Sequence, residues 1–312
     1  MPASPQVSTS RIGIDHAATD MSGIPVSCHG LVHIYRLEGN DVVALSGVDL
    51  DVASGEVVGL LGPSGSGKST LLNLFAGLLR PSAGRLRVSG HEIARMDEKG
   101  LARMRAVDVG VVLQGAMRNL LPYASPIDNV RFAQRGAAKV SDTILAAPEE
   151  VLELVGLQEE ATTSLTSLSP GQRQRLAVAV GMAARPGLLL LDEPTSQLDH
   201  EGRDEVLRAV IEVNRDLGTT VVAVTHDPDV ADRLPRTVTI RDGRVGAEGR
   251  RGEDFAVVGR DGSVTLPPDI LESVPPGTLL RVTVVDQGAV YLQRTDSGTA
   301  TTDEIPGSKE AR

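Results

Sequence analysis

A chain of 312 residues, 41% of them hydrophobic, has enough apolar material to bury a core and a length that suggests about two domains. Its formal net charge of −10 argues against a general affinity for nucleic acid or for anionic lipid. The single cysteine, Cys28, excludes a disulfide framework and a cysteine zinc cluster, and fits a reducing compartment.

Residues 1–25 are rich in Ser, Thr, Pro and Ala and read as a loose, disordered extension without the apolar core of a signal peptide. No apolar run along the chain approaches the roughly 18 residues that span a bilayer, so a soluble protein is expected and any membrane role is borrowed from a partner. From Val26 to Val245, apolar runs alternate with amphipathic stretches in the manner of an α/β fold. Glu56 to Gly62 is a buried-strand run, and Lys68 to Leu79 reads as the helix after it, with Pro81 just beyond. Three further runs read as strands: Val109 to Gln114, Leu188 to Asp192 and Thr219 to His226. Runs this continuous suit parallel strands covered on both faces. About 115–168 reads as an inserted helical subdomain, with Glu149 to Leu157 its clearest helix. Val238 to Val245 reads as a hairpin turning at Asp242-Gly243. A Gly- and charge-rich linker follows over 246–253, then a small β-rich domain over 254–296 with Asp-Gly and Pro-Pro-Gly turns, and a polar tail over 297–312.

The chemistry concentrates at a few places. In Gly62-Pro63-Ser64-Gly65-Ser66-Gly67-Lys68-Ser69-Thr70, the glycines let backbone N–H groups wrap phosphates. Lys68 is placed to reach the β- and γ-phosphates, and the Ser69 hydroxyl to ligate Mg²⁺. Asp192 ends an apolar strand, where a carboxylate holds Mg²⁺ at the carboxyl edge of a parallel sheet. Glu193 beside it suits a general base that polarises water. Two adjacent carboxylates after a strand are usually a solvated loop, and only the phosphate loop upstream reverses that reading. Gln114 offers an amide near the metal and the attacking water, His226 a contact to the γ-phosphate, and Tyr35 an aromatic face for adenine. Each of these three alone is more often a surface or core residue; their order behind the phosphate loop is what singles them out.

The segment Leu168-Ser169-Pro170-Gly171-Gln172 stands between the phosphate loop and the acidic strand end, and in that order the chain resembles the ATP-binding-cassette (ABC) ATPases over about Val26 to Val245. On that resemblance the fold is a P-loop NTPase nucleotide-binding domain. Walker A is Gly62 to Ser69, the Q-loop glutamine Gln114, the signature Leu168 to Gln172, Walker B Asp192 with Glu193, the D-loop Ser196 to Asp199 and the switch histidine His226. Tyr35 stands where the family keeps its adenine-stacking aromatic. The resemblance implies ATP and Mg²⁺, and two copies, or a paired ATPase subunit, closing on two nucleotides. Each nucleotide would lie between Walker A of one subunit and Ser169, Gly171 and Gln172 of the other. It also implies a separate integral-membrane permease, with the chain peripheral on the cytoplasmic face of the membrane. Pro170 and Gln197 depart from the family pattern, in which Gly is usual at the first and Ala or Gly at the second; Pro removes one backbone N–H that could meet the γ-phosphate.

Leu37 to Gly84 and Asn119 to Val130 resemble the lipoprotein-releasing (LolD-like) and macrolide-export (MacB-like) branch. Gly259 to Ile270 and the strands after it resemble an AbrB/SpoVT-type domain, a class that commonly dimerises and often binds DNA. Acidic residues outnumber basic ones there, which is poor for phosphate neutralisation, so nucleic acid is not an expected partner. A soluble nucleotide-gated regulator whose C-terminal domain binds DNA is the alternative reading.

Overall fold

The computed structural model describes residues 25–294, apart from 38, 142–144, 251, 252, 259–261, 265, 267, 276, 287 and 288. The expected extension over 1–25, but for Pro25, and the tail over 297–312 lie outside the described residues.

β1 (Val26–Leu37) and β2 (Asn40–Val52) form a long antiparallel hairpin, and β3 (Val57–Leu61) runs from there into the glycine-rich loop and α1 (Lys68–Phe75). β4 (Ala83–Val88) and β5 (His91–Glu92) return to the hairpin, making a four-stranded antiparallel sheet in the order β2-β1-β4-β5. α2 (Glu98–Val107) and β6 (Val109–Val112) follow, then three helices: α3 (Pro126–Ala138), α4 (Pro148–Leu154) and α5 (Pro170–Met182). β7 (Leu188–Asp192), α6 (His200–Leu217), β8 (Thr220–Val224) and the single turn α7 (Pro228–Ala231) come next. β9 (Arg236–Arg241), β10 (Arg244–Arg250) and β11 (Glu253–Ala256) precede α8 (Pro268–Ser273) and the hairpin of β12 (Leu280–Asp286) and β13 (Ala289–Arg294).

The central sheet has seven strands in the order β11-β10-β9-β3-β8-β7-β6, parallel from β9 to β6 and antiparallel at β10 and β11. Alternation along its inner strands fills two cores. Leu188, Leu190, Val222, Val224, Val58 and Leu60 face α1 and the antiparallel sheet, whereas Leu189, Leu191, Val221, Ala223 and Val57 face the layer of α3 to α6. A strand buried on both faces reads as an unbroken apolar run, which is why β7 is four consecutive leucines. Each such side chain contributes about 1.5–3 kcal/mol on burial, so β7 alone ties both layers to the sheet.

Three expectations change in detail. The helix expected over Lys68 to Leu79 stops at Phe75, because Gly77 takes the left-handed region (φ 62°) and the chain turns out of the helix. The helix expected over Glu149 to Leu157 similarly ends at Leu154, before Gly156 at φ 63°. The linker expected over 246–253 is instead largely strand: β10 runs to Arg250 against β9, and β11, which begins the expected C-terminal unit, pairs with β10 at the sheet edge. Gly and charge suggested a loop there, but the charges are engaged across the strands. Glu248 accepts from Arg236 at 2.8 Å; burial pushes its carboxyl up, but the hydrogen bonds and charges of Arg236 and Arg250 together hold it below the usual carboxylate range. The hairpin at Asp242-Gly243 is present, with both residues at positive φ as a two-residue turn between twisted strands requires.

Candidate functional site

The carboxyl ends of β3, β8, β7 and β6 lie side by side, and each delivers one of the residues singled out from the sequence. β3 opens into Gly62–Thr70, β8 is followed by His226, β7 ends at Asp192 with Glu193 next, and Gln114 stands two residues beyond β6. In an open α/β sheet this edge is where ligands bind.

The loop after β3 is shaped by what its neighbours leave free. A Cβ on Gly62 (φ 136°) would lie 2.0 Å from the Ile240 carbonyl oxygen, and one on Gly67 (φ 103°) 2.6 Å from that of Ala44. Any other residue at these two positions would lift the loop off β9 and β2. Pro63, Ser64 and Gly65 form its exposed tip. Gly67 leads into α1 without a side-chain cap, whereas Asp97, Ser125, Ser169 and Asp199 cap α2, α3, α5 and α6. The first amides of α1 therefore stay available to an anion. Ser66 Oγ is buried in the loop without a hydrogen-bond partner, and Lys68 Nζ is held at 2.8 Å by the carbonyls of Gly62 and Pro63. An orphaned hydroxyl, uncapped amides and an ammonium in one cradle fit a polyphosphate. Burial lowers the Lys68 pKa, opposed by the charges of Glu193 and Asp192.

Ser69 Oγ lies 3.5 Å from Asp192 Oδ1. One hydroxyl and one carboxylate are the kind of sparse oxygen set a Mg²⁺ takes from protein when phosphates and water complete its shell. Burial pushes the Asp192 carboxyl up, as does the charge of Glu193; the Ser69 hydrogen bond and Lys68 pull it down.

Glu193 is held from both sides. Gln114 Nε2 donates to its Oε2 at 2.8 Å, and His226 Nδ1 stands 2.9 Å from its Oε1. A carboxylate there calls for a proton on Nδ1 and leaves Nε2 without a bond to Glu193. Glu193 itself sits at φ 47°, a strained setting for a residue with a Cβ. Gln197, in the segment after it, also takes the left-handed region, at φ 66°, a setting that favours glycine. Glu193, Gln114 and His226 line one cavity of about 340 Å³ with Thr195, Ser196, Gln197 and Arg203.

Tyr35 reaches the site's margin. Its hydroxyl is 3.2 Å from that of Thr70 on the first turn of α1, and its ring meets His33 edge-on at 4.7 Å. Ser169, Gly171 and Gln172 lie apart, at the start of α5. Ser169 Oγ accepts from the Gln172 amide at 3.1 Å, Gln172 Oε1 accepts from the Ser169 amide at 2.8 Å, and Gln172 Nε2 donates to Glu160. Pro170 occupies the first helical position, where the missing N–H would have had no helical partner. A Cβ on Gly171 would lie 3.2 Å from the Gly202 Cα, so this glycine also lets α5 pack closely on α6.

Two residues with a bearing on the site were not apparent in the sequence. Asn119 braces the turn around Gln114, accepting from the Leu113 amide at 2.8 Å and donating to the Leu113 carbonyl at 2.9 Å. Its sequence signals are its place five residues after the glutamine and at the head of the Asn119 to Val130 segment, neither of which shows the bracing. Arg203, on α6, pairs with Asp227 beside His226, a contact with no sequence signal.

A family model described as ABC transporter matches residues 45–196. A lipoprotein-releasing system ATP-binding protein LolD from Anaeromyxobacter dehalogenans is 44% identical over 206 residues, 66% of this chain and 85% of that protein. The chain belongs to the ABC transporter ATPases. Like them it is an ATP-binding, ATP-hydrolysing subunit. A LolD protein of Caulobacter vibrioides is 39% identical over 72% of this cassette and 98% of its own length. A methionine import ATP-binding protein MetN of the same organism is 42% identical over 68% and 63%. Among solved structures, a dimeric ATP-binding cassette in a post-hydrolysis state bound to ADP and Pi superposes with a TM-score of 0.64 at 30% identity, covering 72% of this chain and 98% of that one. Subunits of this family pair as dimers and work with membrane permeases. Among the described residues of this cassette, no helix is long and apolar enough to cross a membrane.

Proposed function

We propose that two copies of this cassette close on two ATP molecules, and that Glu193 is the general base for the attacking water. The observation that carries the reading is the double restraint on Glu193, whose carboxylate oxygens are each engaged by one neighbour, Gln114 and His226, beside the Ser69–Asp192 pair. A base fixed in this way needs little reorganisation when the proton moves. Lys68, the loop amides and Ser66 Oγ bind the phosphates, with Gly62, Pro63, Ser64, Gly65, Gly67 and Thr70 forming the rest of the cradle. Ser69 and Asp192 would hold Mg²⁺, with Gln114 at its margin; the ion would neutralise phosphate charge. His226 serves the γ-phosphate by donating from Nε2, which together with Nδ1 donating to Glu193 calls for a proton on both ring nitrogens, and Tyr35 flanks adenine. Ser169, Gly171 and Gln172 complete the neighbouring copy's site.

The LolD relatives support a membrane-bound partner, and their names point to lipoprotein release as the kind of work driven. A permease would place the cassette at the cytoplasmic face of the membrane. Exposed Leu78, Leu113, Met117, Leu121, Tyr123 and Phe132, around and beyond Gln114, are the apolar surface that supports such docking. The relatives are transporter subunits, which favours this reading over a DNA-binding regulator. The segment over 254–296 is read as a dimerising or regulatory addition.

Glu193→Gln tests the assignment. It removes the base but keeps the size and one acceptor, so ATP affinity persists while turnover falls by at least 10²-fold, the low end of what general-base loss gives. Steady-state ATPase near that of the unaltered chain would reject Glu193 as the base.

A further inference from the structure

Arg203 stands outside every motif, yet its surroundings tie it to the chemistry. It lies one turn into α6, a helix fixed to the core by Ala209, Val210 and Val213 and to α5 by the Gly171–Gly202 approach and an Arg175–Glu205 ion pair at 3.5 Å. From this frame Arg203 Nη1 donates to Asp227 Oδ2 at 2.8 Å, with Asp229 Oδ2 further off at 3.6 Å. The other Asp227 oxygen accepts from the Asp229 amide at 3.0 Å and caps α7, while the Asp227 amide donates to Thr225 Oγ1 at 3.1 Å. The residue before Asp227 is therefore clamped from behind. That residue is His226, whose side chain is 63% exposed and whose hydrogen bond is to Glu193.

An exposed imidazole keeps its aim only if its backbone is held, because side-chain and loop freedom otherwise oppose the ordering. Thr225 and the Asp229 amide hold Asp227 locally, and Arg203 ties it to α6; Arg203 and Asp227 also line the cavity of Glu193, Gln114 and His226. Arg203 Nε is buried there without a partner, so the guanidinium is not placed for surface pairing alone.

We propose that Arg203 is a positioning residue for hydrolysis: acting through Asp227, it holds His226 against Glu193 and references both to α6, the helix that follows Gln197 and Asp199. The inference rests on the reading of Glu193 as the base.

The test uses the full chain with Arg203→Gln, Arg203→Lys, Asp227→Asn and the Arg203→Gln/Asp227→Asn double variant, with Glu193→Gln in parallel. Misplaced catalytic groups lose on the order of tenfold to hundredfold in rate. Arg203→Gln is expected to lose kcat on that scale with KM for ATP changed by less than about twofold. Arg203→Lys should recover part of the loss, since a point charge still reaches Asp227, and the double variant should be no slower than the slower single one. Arg203→Gln with unaltered kcat would overturn the proposal. So would loss of ATP affinity and thermal stability in step with kcat, which marks a structural role. Undiminished turnover in Glu193→Gln would instead bring down the underlying reading, so the two failures are distinct.

Discussion

Gln114 Nε2 and Glu193 Oε2 are 2.8 Å apart, bridging residues 79 positions distant in sequence from neighbouring strands of the central sheet. The bond makes the orientation of the carboxylate depend on a loop that borders the exposed apolar surface. Gln114→Ala removes the donor and is expected to lower kcat by roughly tenfold or more while ATP binding stays near its original affinity. Isothermal titration and steady-state kinetics on the same preparation check both halves. Asn119→Ala, which frees the turn around Gln114, should reproduce a smaller part of the same loss.

The raised pKa of Asp192 makes a prediction about stability. A carboxyl whose folded value lies above its unfolded one stabilises the fold only while it is protonated, and that contribution is lost as pH rises through the raised value. At neutral pH the ionised Asp192 therefore opposes folding of the nucleotide-free chain. Asp192→Asn should melt higher than the unaltered protein near pH 7, and the difference should shrink as pH falls into the carboxylate range. Thermal scans against pH show this directly, and the same variant should hydrolyse ATP far more slowly.

Gly62 and Gly65 separate two reasons for glycine in the phosphate loop. A Cβ on Gly65 (φ 80°) meets nothing within 4 Å, so Gly65→Ala carries backbone strain alone, ~1–2 kcal/mol. Gly62→Ala adds a collision with the Ile240 carbonyl and should destabilise the protein by more than Gly65→Ala and abolish nucleotide binding. Urea midpoints for the two variants rank them.

Pro170 bears on the start of α5. At the first helical position it fixes φ without removing a helical bond, so Pro170→Gly should destabilise the fold by about 0.4–1 kcal/mol through the unfolded chain. Turnover should not fall, because the Ser169–Gln172 capping box does not use the Pro170 nitrogen.

Local features were legible in the sequence. β3, the glycine loop and α1 are contiguous, and the four leucines of β7 declare a strand buried on both faces. The antiparallel sheet does not declare itself in the sequence, since register shifts in β1 between Cys28 and Leu31 and between His33 and Ile34 break the alternation that would mark it. β10 from Gly246 onward reads as a linker because its composition is that of a loop, and only pairing with β9 makes it a strand. The residues of the site were recognisable from their order, but their mutual contacts were not. That His226 bonds Glu193, or that Arg203 reaches Asp227, depends on which strands the fold sets side by side. Ser169 and Gln172 cap α5, a Ser-x-x-Gln pattern that the sequence carries, whereas the packing of Gly171 on α6 has no sequence signal.

In the proposed dimer each nucleotide is enclosed between two copies, with Glu193 held ready on one and Ser169 supplied by the other. Sedimentation equilibrium of the full-length Glu193→Gln chain, with and without Mg²⁺ and ATP, tests it most directly. The expected result is a monomer without nucleotide and, with ATP, a species of twice the mass holding one ATP per chain. A chain saturated with ATP that remains monomeric would contradict it.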